Sequence, residues 1–254
     1  MQFTVIEAPT MAGSIEAEQL SALYAYPPGS GEVLVRANMI ASIDGAIATG
    51  GTSGGLGGPG DRELFGVLRQ DSDVVVVGAG TARAEHYGGV ALTAEQQQRR
   101  QSRGQQAIPP IAVVTGSGRI PEGLIAGSTV APVIMTSAVG ALRAREQLGN
   151  RAEVLDCSDG DPETVDLTKG LRQLVERGWT RVLTEGGPRL LGSLIADGLL
   201  TELCLTVAPV LIAGQSGRIT ADVTETLRPM RRMHLITDTD GYLYMRYRAN
   251  PGAP

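Results

Sequence analysis

Histidine and cysteine are scarce in this chain of 254 residues, which contains two of each. His86, His234, Cys157 and Cys204 show no clustered spacing, so we expect no catalytic metal. Each cysteine lies within an apolar pattern, which is typical of a buried thiol in a cytoplasmic protein.

Long hydrophobic runs and an excess of positive charge are also missing. No apolar run reaches membrane-spanning length, and residues 1–5 lack the basic start of a signal peptide. The formal net charge of −5 argues against a protein that coats nucleic acid. With 42% hydrophobic and 19% charged residues, the composition is that of a soluble globular protein. We therefore expect a cytoplasmic protein that has neither a membrane nor a nucleic acid as partner.

Strand-like and helix-like patterns alternate from about residue 30 onward. The helical pattern at 166–177 begins at a plausible N-cap, Asp166, and another covers 61–69. Apolar, β-rich runs occupy residues 33–39, 74–77, 111–114, 133–135, 154–155, 182–183 and 203–207. Such alternation predicts an α/β fold whose mostly parallel central sheet has helices on both faces.

The two ends of the chain depart from this alternation. Residues 233–236 and 242–247 flank a turn-rich segment, which predicts an antiparallel hairpin that closes the sheet. Residues 1–30 are predicted to be an N-terminal extension with a short helix at 16–24, and 31–254 a single domain. The Gln- and Arg-rich stretch 85–110 is expected to be a mobile loop or a short exposed helix.

The segment 184–193 has the pattern of a phosphate-binding turn. An apolar run precedes Glu185, Gly186 and Gly187, and Pro188 suits the first position of a helix. Free N–H groups at a helix start attract anions, and glycine allows close approach of the backbone. The alternative is an ordinary tight turn between a strand and a helix.

Two further glycine loops follow predicted strands. Residues 78–81 begin like a dinucleotide fingerprint, but Arg83 replaces its last glycine, which makes a Rossmann interpretation weak. Residues 115–119 form another glycine-containing loop after a predicted strand, and this loop also contains the basic residue Arg119. Three such loops suggest a long, phosphate-bearing ligand along the carboxyl edge of the sheet.

Residues 51–55 match the G-x-S-x-G pattern of hydrolases around Ser53. More glycines and Pro59 follow where the helix of a hydrolase should begin, so the context does not fit. A flexible lid over a ligand is the better interpretation of this segment. Asp44, just after the first predicted strand, is either a turn residue or a carboxylate at the mouth of the sheet.

Several segments in order and spacing resemble the reductase domain of bacterial riboflavin biosynthesis, a pyrimidine reductase whose fold is similar to dihydrofolate reductase. They are residues 38–45, 68–69, 73–81, 185–188 and 203–214, within a resemblance over about 33–248. The resemblance implies NADPH as hydride donor and a homodimer. It also implies reduction of 5-amino-6-(5-phosphoribosylamino)uracil to its ribitylamino form.

Residue by residue, the resemblance and the glycine loops give one expected site. The resemblance carries cofactor contacts onto Ile40, Thr81, Thr115, Gly116 and the loop 187–193, and substrate contacts onto Ser53, Arg69 and Glu185. The expected cofactor-binding set is Ile40, Gly80, Thr81, Thr115, Gly116, Ser117, Arg119, Gly186, Gly187, Pro188, Arg189, Leu190 and Leu191. We expect Arg119 to bind the 2′-phosphate that distinguishes NADPH from NADH. The expected substrate-binding residues are Asn38, Ser53, Arg69 and Glu85. Asp44 and Glu185 are the expected catalytic pair, because reduction needs a proton donor.

The sequence departs from the family pattern at four places. A lysine expected near Asn38 is missing, Glu85 replaces an aspartate, and a tryptophan is replaced by Gly55 or Leu56. An arginine expected near Leu92 to hold the substrate's phosphate has no clear counterpart, although Arg83 is a candidate. These differences leave open a dihydrofolate or other pterin reductase, and a nucleotide-binding protein without catalysis. The zinc deaminase often fused to the family's reductase needs motifs that this chain lacks.

Overall fold

The computed structural model describes residues 2–7, 13–27 and 32–250. Eleven strands within these residues form one sheet. The strands are β1 (Phe3–Glu7), β2 (Gly13–Ile15), β3 (Leu34–Ser42), β4 (Val74–Gly78), β5 (Ile111–Thr115), β6 (Val133–Thr136), β7 (Glu153–Asp156), β8 (Arg181–Thr184), β9 (Glu202–Ala208), β10 (Met230–Asp238) and β11 (Leu243–Ala249).

The order of strands across the sheet is β2-β1-β10-β11-β9-β3-β8-β4-β5-β6-β7. Neighbours from β9 to β7 pair in parallel, whereas β11, β10, β1 and β2 extend the sheet by antiparallel pairs. The predicted mostly parallel sheet with a C-terminal hairpin is therefore confirmed. The hairpin does not form the edge, however, because β1 pairs with β10 and β2 pairs with β1.

Eight α-helices cover the sheet within the described residues. They are α1 (Ala17–Tyr24), α2 (Pro59–Asp71), α3 (Ala79–Ala84), α4 (Ala94–Ser102), α5 (Glu122–Gly127), α6 (Ala138–Leu148), α7 (Leu167–Val175) and α8 (Pro188–Ala196). One apolar core takes side chains from α1, α2, α3, α5 and α6, and the other takes them from α7 and α8. The fold thus has three layers, with the sheet in the middle.

Alternation along the central strands produces the two cores. In β4, Val75 and Val77 face one core, while Val74 and Val76 face the other. Because successive side chains of a strand point to opposite faces, an unbroken valine run is what a strand covered on both sides requires. None of the helices among the described residues is long and apolar enough to cross a membrane.

Two segments differ in detail from the expectation. The extension predicted at residues 1–30 supplies β1, β2 and α1, which belong to the same sheet and core; residues 8–12 and 28–31 lie outside the described residues. In the stretch 85–110, the short helix is α4, but its Arg100 is fully buried. The Arg100 guanidinium donates to the carbonyl oxygens of Gln70 (2.8 Å) and Ser72 (2.5 Å) and thereby anchors the C-terminal end of α2.

Candidate active site

Two adjoining cavities lie where the parallel strands end. The first has a volume of about 530 Å³ and the second about 980 Å³. Both are lined by Gly80 and Thr81 of α3 and by Gly187 and Pro188 at the start of α8. Since the loops after parallel strands meet at one edge of a sheet, the turns after β4 and β8 come together at this boundary.

Glu185 lies in the first cavity, directly after the last residue of β8. Its side chain is 2% exposed and accepts two hydrogen bonds from Arg69 of α2, from Nε to Oε1 (2.7 Å) and from Nη2 to Oε2 (2.8 Å). The hydroxyl of Tyr87 donates to Oε2 as well, over 2.7 Å. Three donor hydrogens therefore converge on one carboxylate, an arrangement that only the ionised form can accept in full.

The contact with Glu185 shifts the pKa values of both of its partners, Tyr87 and Arg69. Burial raises the pKa of Tyr87 well above its ordinary value, and the neighbouring carboxylate raises it further. For Arg69, burial lowers the pKa, but the contacts with Glu185 and Tyr87 together raise it above its ordinary value. The Arg69 guanidinium also lies 4.0 Å from the centre of the Phe65 ring. Arg69 is thus a fixed cation, and Tyr87 keeps its proton at neutral pH.

All four predicted substrate-binding residues line the first cavity: Asn38, Ser53, Arg69 and Glu85. The backbone N–H of Ser53 donates to Glu85 Oε1 (2.7 Å), which holds the glycine-rich segment 51–55 against the end of α3. Sequence reasoning missed other lining residues, namely Met39, Ile47, Asp61, Phe65 and Tyr87. Tyr87 is distant from Glu185 in sequence and follows no motif, so no local signal identified it.

Most predicted cofactor-binding residues line the second cavity. They are Gly80, Thr81, Thr115, Gly116, Ser117, Gly187, Pro188, Arg189 and Leu190. The first turn of α8 carries no side-chain cap at Gly187, so N–H groups at this helix start are available to an anion. The peptide bond between Gly186 and Gly187 is cis.

The glycines at three of these positions serve two different roles. A Cβ placed on Gly80 or Gly116, which both line the second cavity, would have no atom of the described residues within 4 Å. A Cβ on Gly187 would instead collide with Thr81 Oγ1. Thus Gly80 and Gly116 leave room for a ligand, whereas Gly187 is required by packing between the two loops.

Four predicted cofactor residues are not placed as expected. Ile40 lines the first cavity instead of the second. Leu191 is fully buried in the core beneath α8, where its N–H bonds to Gly187 O, and Gly186 lines neither cavity. Arg119 is exposed and lines neither cavity, because the left-handed turn at Gly118 (φ 71°) carries the chain away.

Asp44 is not brought to Glu185 by the structure. It is exposed in the turn after β3 and lines neither cavity. Its Oδ1 accepts from Ser42 Oγ (2.5 Å) and from the N–H of Ile212 (3.0 Å), and these hydrogen bonds lower its pKa. This arrangement favours the turn interpretation of Asp44, since the carboxylate is used to hold two loops together.

Other residues that line the second cavity come from segments that carried no motif. They include Glu163, Val165, Asp197, Asp222 and Val223. The described residues contain no group of three or more His, Cys, Asp or Glu side chains placed to hold a metal ion. Arg83, considered for the substrate phosphate, lines this second cavity and not the first.

Comparison with known proteins agrees with this geometry. Residues 33–244 match the model of the protein family described as the RibD C-terminal domain. A 2,5-diamino-6-ribosylamino-4(3H)-pyrimidinone 5′-phosphate reductase from Archaeoglobus fulgidus is 27% identical over 76% of this chain and 88% of its own length. The reductase of the same name from Methanothermobacter thermautotrophicus is 28% identical over 73% and 82%.

A solved structure supports the fold independently. A pyrimidine reductase-like protein from Corynebacterium diphtheriae superposes with a TM-score of 0.78 at 24% identity, covering 93% of this chain and 99% of that one. At this identity the likeness concerns the fold. The family match spans most of the sequence, so the chain belongs to the RibD C-terminal domain family, the pyrimidine reductases of riboflavin biosynthesis.

Proposed function

We propose that this pyrimidine reductase uses NADPH to reduce 5-amino-6-(5-phosphoribosylamino)uracil to its ribitylamino form. The observation that carries the proposal is the boundary shared by the two cavities at Gly80, Thr81, Gly187 and Pro188. Ligands that fill the two cavities meet at this boundary, as a hydride donor and its acceptor must.

The second cavity fits a dinucleotide. Its volume of about 980 Å³ lies at the upper end for small-molecule sites, and its glycines at 80 and 116 leave space where side chains would stand. The N–H groups at the start of α8 suit a pyrophosphate, and the loop 115–117 suits the adenosine half. When bound, the reduced nicotinamide supplies a hydride.

The residues of the first cavity bind the substrate and position the groups between which the proton moves. Converting a ribosylamino group into a ribitylamino group adds a hydride at carbon C1′ and a proton at a heteroatom. Arg69 and Tyr87 donate three hydrogen bonds to Glu185, and its carboxylate has about four acceptor sites, so one site is left to orient a substrate N–H or a water molecule. The loop around Ser53, held by Glu85, excludes bulk water from this step.

A second substrate has a specific observation in its favour. The two archaeal relatives are named as reductases of the 2,5-diamino-pyrimidinone, which carries an amino group where the uracil carries an oxygen. An amino group is a donor, and the first cavity is lined by the carboxylates of Asp61, Glu85 and Glu185. This electrostatic match supports the diamino compound as the alternative substrate.

Initial rates of NADPH oxidation with each compound test the proposal. We expect turnover with at least one of the two ribosylamino-pyrimidines and none with dihydrofolate, and the larger kcat/KM identifies the substrate. Turnover of dihydrofolate alone would assign the protein to pterin reduction. Nucleotide binding without turnover of any of the three would indicate a binding protein. The expected homodimer stays a prediction that light scattering can check.

A further inference from the structure

Among the described residues, two arginines line the second cavity, and only one of them is free to bind an additional anion. Arg189 forms an ion pair with Asp222. Arg83, in the last turn of α3, has no ion pair or side-chain hydrogen bond with any residue in the described ranges 2–7, 13–27 and 32–250. Its guanidinium is exposed at the cavity wall, so it can turn toward a ligand.

The wall that carries Arg83 is continuous with the loop after β5. Helix α3 packs against both β4 and β5, and these strands pair in parallel up to Gly78 and Val114. Thr115, Gly116 and Ser117 therefore line the cavity beside α3. The hydroxyls of Thr115 and Ser117 lie 3.4 Å apart, and both residues line the same cavity as Arg83. The cavity therefore offers a cation and two hydroxyl groups, which are groups that suit a phosphate monoester.

The second cavity is also lined by the carboxylates of Glu163, Asp197 and Asp222, and Asp222 pairs with Arg189. These carboxylates repel a doubly charged phosphate, whereas the unpaired guanidinium of Arg83 attracts it. Among the described residues that line this cavity, Arg83 is therefore the cation that suits a terminal phosphate.

We infer that Arg83, and not Arg119, binds the 2′-phosphate of the cofactor and so determines the preference for NADPH over NADH. The inference rests on the proposed function, because it assumes that the second cavity binds a nicotinamide dinucleotide. Arg119 follows the left-handed turn at Gly118 and lines neither cavity.

Calorimetric titration with two nucleotides tests the inference without any catalysis. Adenosine 2′,5′-bisphosphate and adenosine 5′-monophosphate differ only by the 2′-phosphate. Arg83→Ala should weaken the bisphosphate at least about 10-fold, the loss expected for one hydrogen bond to a charged group, and leave the monophosphate within about 2-fold. Arg83→Lys should recover part of the lost affinity, since lysine keeps the positive charge but lacks the paired N–H donors of the guanidinium.

Two exposed arginines provide the comparison. Arg143 of α6 lies outside both cavities, so Arg143→Ala should bind both nucleotides as the parent does. Arg119→Ala should also preserve the preference, and a lost preference in this variant would overturn the inference. An unchanged preference in Arg83→Ala would overturn it too. Parent protein that binds both nucleotides equally would refute the inference alone, whereas parent protein that binds neither would refute the proposed cofactor as well. Thermal unfolding of each variant checks that the fold is intact.

Discussion

The hydrogen bond from Tyr87 to Glu185 allows the candidate active site to be tested quantitatively. Tyr87→Phe removes the donor 2.7 Å from Glu185 Oε2 but keeps the ring beside Arg69. A hydrogen bond to a charged group contributes about 1.5–3 kcal/mol. Because Tyr87 is only partly buried, we expect the lower end, about 1.5 kcal/mol of unfolding free energy.

A double-mutant cycle separates this bond from other effects of the substitution. Glu185→Gln removes the charge, so adding Tyr87→Phe to that variant should cost about 0.5 kcal/mol, leaving a coupling energy of about 1 kcal/mol. Glu185→Gln alone should be more damaging, up to about 3–5 kcal/mol, because Arg69 then loses the partner of a mostly buried ion pair.

Urea unfolding of the parent, the two single variants and the double variant gives their free energies of unfolding. The rate of NADPH oxidation gives a second readout. We expect kcat/KM for the pyrimidine to fall about 10-fold in Tyr87→Phe, which equals about 1.4 kcal/mol of transition-state stabilisation. Tyr247→Phe is the control, since among the described residues its hydroxyl bonds only to the sulfur of Met245, and the substitution should be additive with Glu185→Gln. A coupling energy below about 0.3 kcal/mol for Tyr87 would refute the proposed geometry.

Three further predictions follow from the same structure. Gly80→Val should lower the affinity for NADP⁺ at least about 10-fold, about 1.4 kcal/mol, because Gly80 lines both cavities and its Cβ position is free of described protein atoms, so the new side chain takes space from the ligand. Gly123→Val in α5, whose Cβ also meets no protein atom, should bind like the parent in the same titration, and equal losses in both would contradict the assignment. Asp44→Asn should keep turnover within about 3-fold, less than the ~10²-fold loss typical of a missing proton donor, and a collapse with NADP⁺ binding intact would restore the catalytic interpretation. Burial, together with the charges of Arg246 and Arg36 and against that of Glu202, lowers the pKa of His234 to about 4. The unfolded state binds this proton below about pH 6.5, whereas the folded state binds it only near pH 4. The contribution of neutral His234 to the unfolding free energy is therefore complete above about pH 6.5 and is lost as the pH falls from about 6.5 to about 4. Between pH 7 and pH 5 the loss should be about 2 kcal/mol of unfolding free energy, and His234→Leu should lose measurably less over the same range in urea titrations.

The glycine loops show how far local sequence patterns reach. Gly80 and Gly116 were identified from the turns that follow apolar runs, and the structure places both at the second cavity. Their location could be predicted because a strand, a turn and a helix start are consecutive in sequence, so a short window contains the whole motif. The location of Arg119 could not, since one left-handed residue at Gly118 redirects the chain and no composition rule predicts where the next side chain lies.

The N-terminal segment illustrates a different limit. Its strands β1 and β2 are short, and β1 pairs with β10, more than two hundred residues later in the sequence. Hydrophobic periodicity in the segment itself gives no sign of that partner, because pairing between distant strands depends on the edge left by the C-terminal hairpin. The helix at 17–24 was predictable, since its apolar spacing is local.

The sequence by itself determined the layered α/β architecture, the family and the glycine loops, because each depends on residues that are neighbours along the chain. Only the tertiary structure decided which side chains share a cavity. Arg69, Tyr87 and Glu185 come from α2, the loop after α3 and the end of β8, and they meet because strands β4 and β8 are adjacent in the sheet. Asp44 follows β3, equally close to β8, yet its carboxylate bonds to Ser42 and Ile212. The direction of a loop after its strand depends on contacts with other loops, and the sequence does not encode those locally.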